Sequence, residues 1–172
     1  MWKKITGFFS RRPAYKPGPP PPPHLVMTEP CAAALAACME PEIRQGHEGV
    51  AYLLGQSDGT TTVAVAAVRP QARTTRGSFA VASPAVANIV RIAMKAGLQL
   101  VGQVHTHPGQ AYHSDGDIEG ARIAYSGYVS LVLPDYGRHL PAFDGAAAYM
   151  YRDKKFIPLD PPHITVVRGR LS

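Results

Sequence analysis

A run of five consecutive prolines, Pro19 to Pro23, limits which part of this chain can join a folded core. Proline lacks a backbone N–H and fixes φ, so the run favours an extended polyproline II conformation over a helix or an inner strand. Five of the 18 basic residues also lie among the first 16 positions. We therefore predict a flexible, basic and Pro-rich arm over residues 1–23 and one folded domain over residues 24–172.

The sequence also bears on location and partners. Trp2, Ile5 and Phe9 fall at roughly helical spacing within the arm, which suits contact with an anionic membrane, although a disordered arm is the simpler interpretation. The formal charge of +6 belongs largely to this arm, and no zinc finger, helix-turn-helix or base-stacking motif accompanies it, so no nucleic-acid binding is expected.

The chain has no run of about 18 apolar residues and no signal-peptide core. We interpret Cys31 and Cys38 as buried thiols and expect a cytoplasmic location.

Apolar periodicity predicts an α/β fold. An Ala-rich stretch that begins at Pro30 predicts one helix, with Pro41 and Gly46 marking its end, and an apolar stripe from Pro84 to Gly97 predicts a second. The basic segment 71–76 is interpreted as a solvated loop. Runs typical of strands cover residues 25–27, 50–54, 60–68, 98–104, 128–133, 146–151 and 155–157. Strands mixed with two helices in this order predict a single domain with a mixed central sheet flanked by helices.

The clearest chemistry follows the predicted strand 98–104. His105 and His107, in the sequence His-Thr-His-Pro, point to the same side because side chains alternate faces along a strand. A catalytic zinc takes three protein ligands from nitrogen and oxygen donors and keeps a fourth position for water. Asp117, in Ser-Asp-Gly-Asp, is the expected third ligand, because Pro108-Gly109 breaks the strand and the turn that follows folds back toward the histidines.

Hydrolysis at such a site also needs a proton shuttle and a hydrogen-bond donor for the negative oxygen. Zinc lowers the pKa of a bound water, but this water must still lose a proton as it attacks, and the leaving amine must gain one. Glu48 is the candidate general base, because the apolar run directly after it points it into the domain. The Ser114 hydroxyl is the candidate donor to the oxyanion.

Three segments together resemble the signature of the JAMM (MPN-plus) metalloproteases: EGVAYLLG at 48–55, HTHP at 105–108 and SDGD at 114–117. The chain resembles the bacterial members found beside ubiquitin-like conjugation genes, and the likeness extends over residues 25–158. The resemblance implies an MPN/JAB-type, cytidine-deaminase-like fold and zinc-dependent cleavage of isopeptide or peptide bonds at the C-terminus of a ubiquitin-like protein. It further implies zinc ligation by His105, His107 and Asp117, with Glu48 as base and Ser114 as oxyanion donor.

One spacing departs from the family pattern. Five residues separate Pro108 from Ser114 where the pattern has six, which places Asp117 one position closer to the histidines. Asp115 and His113 are the neighbouring alternatives, as substitute ligands or as hydrogen-bond partners of the ligating histidines. We favour Asp117 as the ligand.

These residues lead to three functional hypotheses. The first is a deconjugating or precursor-processing peptidase that acts on a ubiquitin-like protein or its conjugate, with activating-type and conjugating-type enzymes as partners in the pathway. The second is release of an amino acid or peptide from the C-terminus of a sulfur-carrier protein by the same zinc chemistry. The third is a non-catalytic MPN scaffold that binds proteins, which the presence of all the motif residues disfavours.

Overall fold

A computed structural model describes residues 24–119, 123, 125–159 and 164–168. The predicted arm over residues 1–23 lies outside these residues, so its boundary with the domain stays a prediction. In chain order the elements are β1 (His24–Thr28), α1 (Glu29–Gln45), β2 (Val50–Ser57), β3 (Thr61–Val68), β4 (Ala72–Thr75), β5 (Ser78–Val81), α2 (Ser83–Lys95), β6 (Gln99–Thr106), α3 (Asp115–Glu119), β7 (Val129–Leu133), β8 (Ala147–Arg152), β9 (Lys155–Leu159) and β10 (Ile164–Val167).

Eight of the strands form one mixed sheet in the order β10-β1-β3-β2-β6-β7-β8-β9. Strand β2 is antiparallel to both β3 and β6, whereas β6 and β7 are parallel. Strands β4 and β5 form a separate two-stranded sheet. The centre of the large sheet is therefore the pair β2–β6, and the chemically active residues predicted from the sequence lie at one end of this pair.

Two helices cover opposite faces of the sheet. Helix α1 packs Leu35 and Met39 into the same buried cluster as Ala51 of β2, while α2 packs Ile89 into a second cluster with Tyr52. Neighbouring residues of a strand point to opposite faces, so the two clusters lie on either side of β2. Each fully buried aliphatic side chain contributes roughly 1.5–3 kcal/mol to folding. The predicted fold class, an α/β domain with a mixed sheet flanked by helices, is confirmed.

The ends of α1 follow from local capping. Thr28 precedes the helix, and its Oγ1 accepts a hydrogen bond from the backbone N–H of Cys31 at 3.3 Å. Gly46 ends the helix in the left-handed conformation, with φ at +63°, as the sequence predicts. Pro41 lies inside the helix and does not mark its end. No helix in the described part of the chain combines the length and apolar character needed to cross a membrane.

Two parts of the chain differ from the sequence prediction. Residues 71–76, interpreted as a solvated loop, contain β4, which pairs antiparallel with β5 between Ala72 and Val81 and between Thr75 and Ser78. The side chains of β4 alternate between half-buried and exposed, but most of them are polar, so the hydropathy pattern does not indicate a strand. Strand β10 was not predicted either, and it pairs parallel with β1 at the edge of the sheet.

Candidate metal centre

The end of β6 and the start of β2 place three of the predicted residues on one face of the sheet. The antiparallel register of β2 and β6, when continued past the regular strands, sets Glu48 opposite His107. Opposed residues of such a pair point to the same face, and so do His105 and His107. The pairing does continue, because Thr106 N donates to Gly49 O at 3.1 Å and Gly49 N donates to Thr106 Oγ1 at 2.7 Å. The candidate base and both imidazoles therefore share one side of the sheet.

Asp117 approaches the histidines from the short helix α3. Ser114, just before this helix, donates to Asp117 Oδ2 from its backbone N at 2.8 Å and from its Oγ at 2.7 Å. Nε2 of His105 lies 3.1 Å from Asp117 Oδ1, and Nε2 of His107 lies 3.4 Å from Asp117 Oδ2. The loop that is one residue shorter than the family pattern therefore still brings the Asp117 carboxylate against both imidazoles.

These three groups fit a metal ion. One ligand atom from each of His105, His107 and Asp117 lies within 4.8 Å of the others. His105 is 0% exposed, its Nδ1 has no hydrogen-bond partner among the described residues, and its Nε2 has only the Asp117 carboxylate, 3.1 Å away. A buried imidazole nitrogen without a partner is unfavourable unless another group binds it. Two imidazole nitrogens and one carboxylate oxygen are a donor set that a catalytic zinc accepts.

The charges in this cluster are set by proximity. Burial opposes the ionisation of Asp117, but the two imidazoles and the Ser114 hydroxyl outweigh it and hold the pKa of this carboxyl well below its usual range. The pKa of His107 is raised, chiefly by its contact with Asp117. Burial lowers this pKa, but the charge of Glu48 adds to the rise. Asp117 is therefore a carboxylate at physiological pH, which is the form that binds a cation.

Glu48 occupies a nearly dry position beside the cluster. Glu48 is 7% exposed, and its backbone N donates to Thr75 O of β4 at 2.8 Å. Burial raises the pKa of the Glu48 carboxyl, His107 lowers it and Asp117 raises it again, with a net rise. A carboxyl with a raised pKa holds a proton more strongly, which is the property that a general base needs near neutral pH.

A cavity of about 500 Å³ opens beside the cluster, with Glu48, His107 and Asp117 in its wall. Its volume falls within the range of ligand clefts, ~300–1,000 Å³. The rest of the lining comes from the β2–β6 face, from the β4–β5 hairpin and from the loop after β6, and it includes Tyr52, Gln103, Tyr112 and the consecutive residues 77–81. Tyr112 is 56% exposed and meets the His107 ring edge-on, with centroids 4.9 Å apart. We refer to this open cavity beside the cluster as the groove.

The turn after β7, which Pro134-Asp135-Tyr136-Gly137 predicts from the sequence, supports this region, but its strained conformation was not predicted. Three consecutive residues have positive φ values of 50°, 59° and 80°: Asp135, Tyr136 and Gly137. The left-handed conformation is unfavourable for residues other than glycine, at about 1–3 kcal/mol each. In this conformation Tyr136 N donates to His107 O at 2.8 Å, and the Tyr136 hydroxyl donates to Arg76 O at 3.0 Å. The turn therefore connects the end of β6 to the tip of the β4–β5 hairpin.

Neither alternative third ligand lies in the cluster. Asp115 is exposed at the start of α3. Nε2 of His113 forms a hydrogen bond with Ser130 Oγ at 2.8 Å. Burial and the nearby His105 lower the pKa of His113 to about 4, so its ring is neutral. Among the residues that the structure describes, the metal-capable group consists of His105, His107 and Asp117.

The chain is similar to known proteins in sequence and in fold. Residues 31–140 match the family described as prokaryotic homologues of the JAB domain. A protein of Sinorhizobium fredii named "Probable metalloprotease y4jG" is 35% identical over 123 residues, which is 69% of this chain and 76% of that protein. The solution structure of protein DSY2949 from Desulfitobacterium hafniense matches with a TM-score of 0.61 at 15% identity, over 84% of this chain and 94% of that one. At this low identity, the structural match bears on the fold alone.

Proposed function

The chain belongs to the family of prokaryotic JAB-domain homologues and is a metallopeptidase of that family, and from this premise we propose that its metal is zinc and its substrate a ubiquitin-like protein. The proposed reaction is hydrolysis of the peptide or isopeptide bond that follows the C-terminus of that protein, in deconjugation or in precursor processing. One observation carries the proposal: the ligand atoms of His105, His107 and Asp117 converge beside a groove whose wall holds His107, Asp117 and Glu48.

The donor set is the argument for zinc. His105, His107 and Asp117 would hold the ion and leave one coordination position open, which is the arrangement of catalytic rather than structural zinc sites. When bound, zinc acts as a Lewis acid that activates a water molecule and polarises the scissile carbonyl. Cysteine is absent from the described cluster, which disfavours the softer metals that prefer thiolate ligands, such as Cu(I).

Glu48 is the proposed proton shuttle. Among the described lining residues of the groove the carboxylates are Glu48 and Asp117, and Asp117 is engaged by two imidazoles and by Ser114. Glu48 is therefore the carboxylate that is available to accept a proton from the attacking water and to return it to the leaving amine. Its raised pKa favours this transfer near neutral pH.

Ser114 is the proposed donor to the oxyanion. Its hydroxyl lines the groove but donates to Asp117 Oδ2 at 2.7 Å. The oxyanion role therefore requires this bond to be exchanged for one to the substrate carbonyl oxygen as negative charge develops there. Removal of one such donor typically lowers the rate by about 100- to 1,000-fold.

The groove favours an extended substrate segment. Residues 77–81 line it consecutively, and within the described residues β5 has β4 as its one strand neighbour. A peptide that runs beside β5 in an extended conformation can therefore form main-chain hydrogen bonds with it. A ubiquitin-like protein would present its C-terminal tail in this form. We further propose that activating-type and conjugating-type enzymes make the conjugate, and that the reaction takes place in the cytoplasm.

The test is cleavage of matched substrates by the zinc-loaded full-length protein. The panel contains a ubiquitin-like protein with a linear C-terminal extension, the same protein in isopeptide linkage to a lysine peptide, and a sulfur-carrier protein with one extra C-terminal residue. We expect cleavage of a ubiquitin-like member, with a loss of at least about 100-fold in Glu48→Gln. The matched control is Glu40→Gln, which changes an exposed glutamate paired with Arg44 on α1. Zinc-loaded protein that cleaves no ubiquitin-like substrate would rule out the proposal.

A further inference from the structure

The loop between His107 and Asp117 is anchored by a histidine to which the proposed mechanism gives no role. The His113 ring stacks on Tyr149 of β8, with centroids 4.2 Å apart and an interplanar angle of 8°, and meets Phe156 of β9 edge-on at 4.8 Å. Its Nε2 forms a 2.8 Å hydrogen bond with Oγ of Ser130 on β7, a residue that is 3% exposed. We refer to Ser130, Tyr149 and Phe156 as the His113 socket.

The socket fixes the main chain of the loop as well as the ring. The backbone N of His113 donates to the Tyr149 hydroxyl at 3.0 Å. The next residue, Ser114, donates to the Asp117 carboxylate from both its backbone N and its hydroxyl. Two consecutive residues therefore connect β8 to Asp117: His113 is hydrogen-bonded to Tyr149 of β8, and Ser114 is hydrogen-bonded to Asp117. Since β7 is the parallel neighbour of β6, the histidines and the socket also belong to one rigid sheet.

The rest of the loop has two described contacts, the edge-on contact of Tyr112 with the His107 ring and a bond from Asp135 N to Gly109 O at 3.0 Å. Pro108, Gly109, Gln110 and Tyr112 are all exposed. We propose that His113 is the positioning residue of this loop, and that its fit in the socket sets the distance between the Asp117 carboxylate and the two metal-binding histidines. This inference rests on the proposed function of the cluster as a zinc centre. His113 acts through Ser114 and Asp117 and lies outside the metal-capable group, which among the described residues consists of His105, His107 and Asp117.

Three variants weaken the socket in different ways. Tyr149→Phe removes the hydroxyl that accepts the His113 N–H and keeps the stacked ring. Ser130→Ala removes the partner of Nε2, and His113→Phe keeps an aromatic ring but loses that hydrogen bond. Groups that orient metal ligands typically change metal affinity by 10- to 100-fold, so we expect each variant to bind zinc about 10-fold more weakly in a chelator competition. The visible absorption spectrum of the cobalt-loaded protein should change as well, because it reports ligand geometry.

The matched control is Tyr151→Phe. Tyr151 lies on the same strand as Tyr149 and contacts Phe156 with ring centroids 5.2 Å apart, but it has no described contact with His113. Zinc affinity and the cobalt spectrum should stay as in the wild type.

Thermal unfolding of the metal-free variants separates positioning from general support of the fold. If the three variants lose metal-free stability but keep the zinc affinity and cobalt spectrum of the wild type, the socket is purely structural and the inference is overturned. Weaker zinc binding and a changed spectrum with little loss of metal-free stability would support it. A wild-type protein that binds zinc but cleaves no ubiquitin-like substrate would remove the proposed function and leave this zinc-binding test intact.

Discussion

Replacing Thr106 by valine tests how the strand pair β2–β6 holds the candidate base. Thr106 is 0% exposed, and its Oγ1 accepts a 2.7 Å hydrogen bond from the backbone N–H of Gly49, the residue directly after Glu48. Valine has nearly the shape of threonine but cannot accept this bond. The substitution leaves the buried Gly49 N–H without that partner and loosens the start of β2, where Glu48 lies.

The magnitude follows from the groups involved. An unsatisfied buried donor costs about 1–3 kcal/mol. The added methyl group offsets at most ~0.8 kcal/mol, and the second bond of the pair, from Thr106 N to Gly49 O at 3.1 Å, remains. We therefore expect a loss of about 1–2 kcal/mol in the free energy of unfolding, which lowers the melting temperature by about 2–8 °C for a domain of this size. A small displacement of Glu48 should lower kcat by about 10- to 100-fold, with little change in KM.

Thermal unfolding of the metal-free protein measures the first effect, and steady-state cleavage of a ubiquitin-like substrate measures the second. Thr106→Ser is the matched control, because it keeps the hydroxyl and should retain most of the stability and most of the activity. A Thr106→Val protein with wild-type stability and kcat would refute the reasoning. A Thr106→Ser protein as impaired as Thr106→Val would also refute it.

Three further predictions concern the surroundings of the cluster. Tyr136→Phe removes the hydroxyl that donates to the β4–β5 hairpin, which lines the groove. In steady-state assays KM should therefore rise while kcat stays near the wild-type value. An unchanged KM would contradict this. In the metal-free protein, the raised pKa of His107 adds stability that is complete below its unfolded pKa of about 6.5 and is lost as pH rises through the higher folded pKa. Melting temperatures between about pH 5 and about pH 9 should show this loss in the wild type and not in His107→Gln. Asp117→Asn should weaken zinc binding in calorimetry far more than Asp115→Asn, whose carboxylate is exposed, and equal effects would assign the third ligand differently.

The parts of the fold that were predictable from the sequence have strong local periodicity. Helix α2, predicted from the apolar stripe that begins at Pro84, spans Ser83–Lys95 and buries Val86, Ile89 and Ala93. The β4–β5 hairpin has two strands of only four residues each, and β4 is mostly polar, so the sequence pattern does not indicate it. Its position depends on tertiary contacts such as the bond from Glu48 N to Thr75 O. Strand β10 likewise depends on pairing with β1, from the other end of the chain.

The predictability of the candidate site decreases with sequence separation. The shared direction of His105 and His107 follows from strand periodicity alone. The apolar run after Glu48 and the family motif both pointed to this glutamate, but its place opposite His107 depends on the register of β2 and β6. The position of Asp117 depends on contacts of His113 with three later strands, which no local pattern encodes.

The long separations within the site have a consequence for how the protein is made. Gly49 and Thr106 are 57 residues apart, and His113 depends on Tyr149, which lies 36 residues further along the chain. During synthesis from the N-terminus, Glu48 leaves the ribosome long before β6 exists to pair with it, and the loop that bears Asp117 lacks part of its anchor until β8 has emerged. The groups proposed for hydrolysis therefore meet only when almost the whole sheet has formed. A nascent or partly unfolded chain, whose own segments are extended and easy to cut, is consequently not yet able to digest itself or its neighbours.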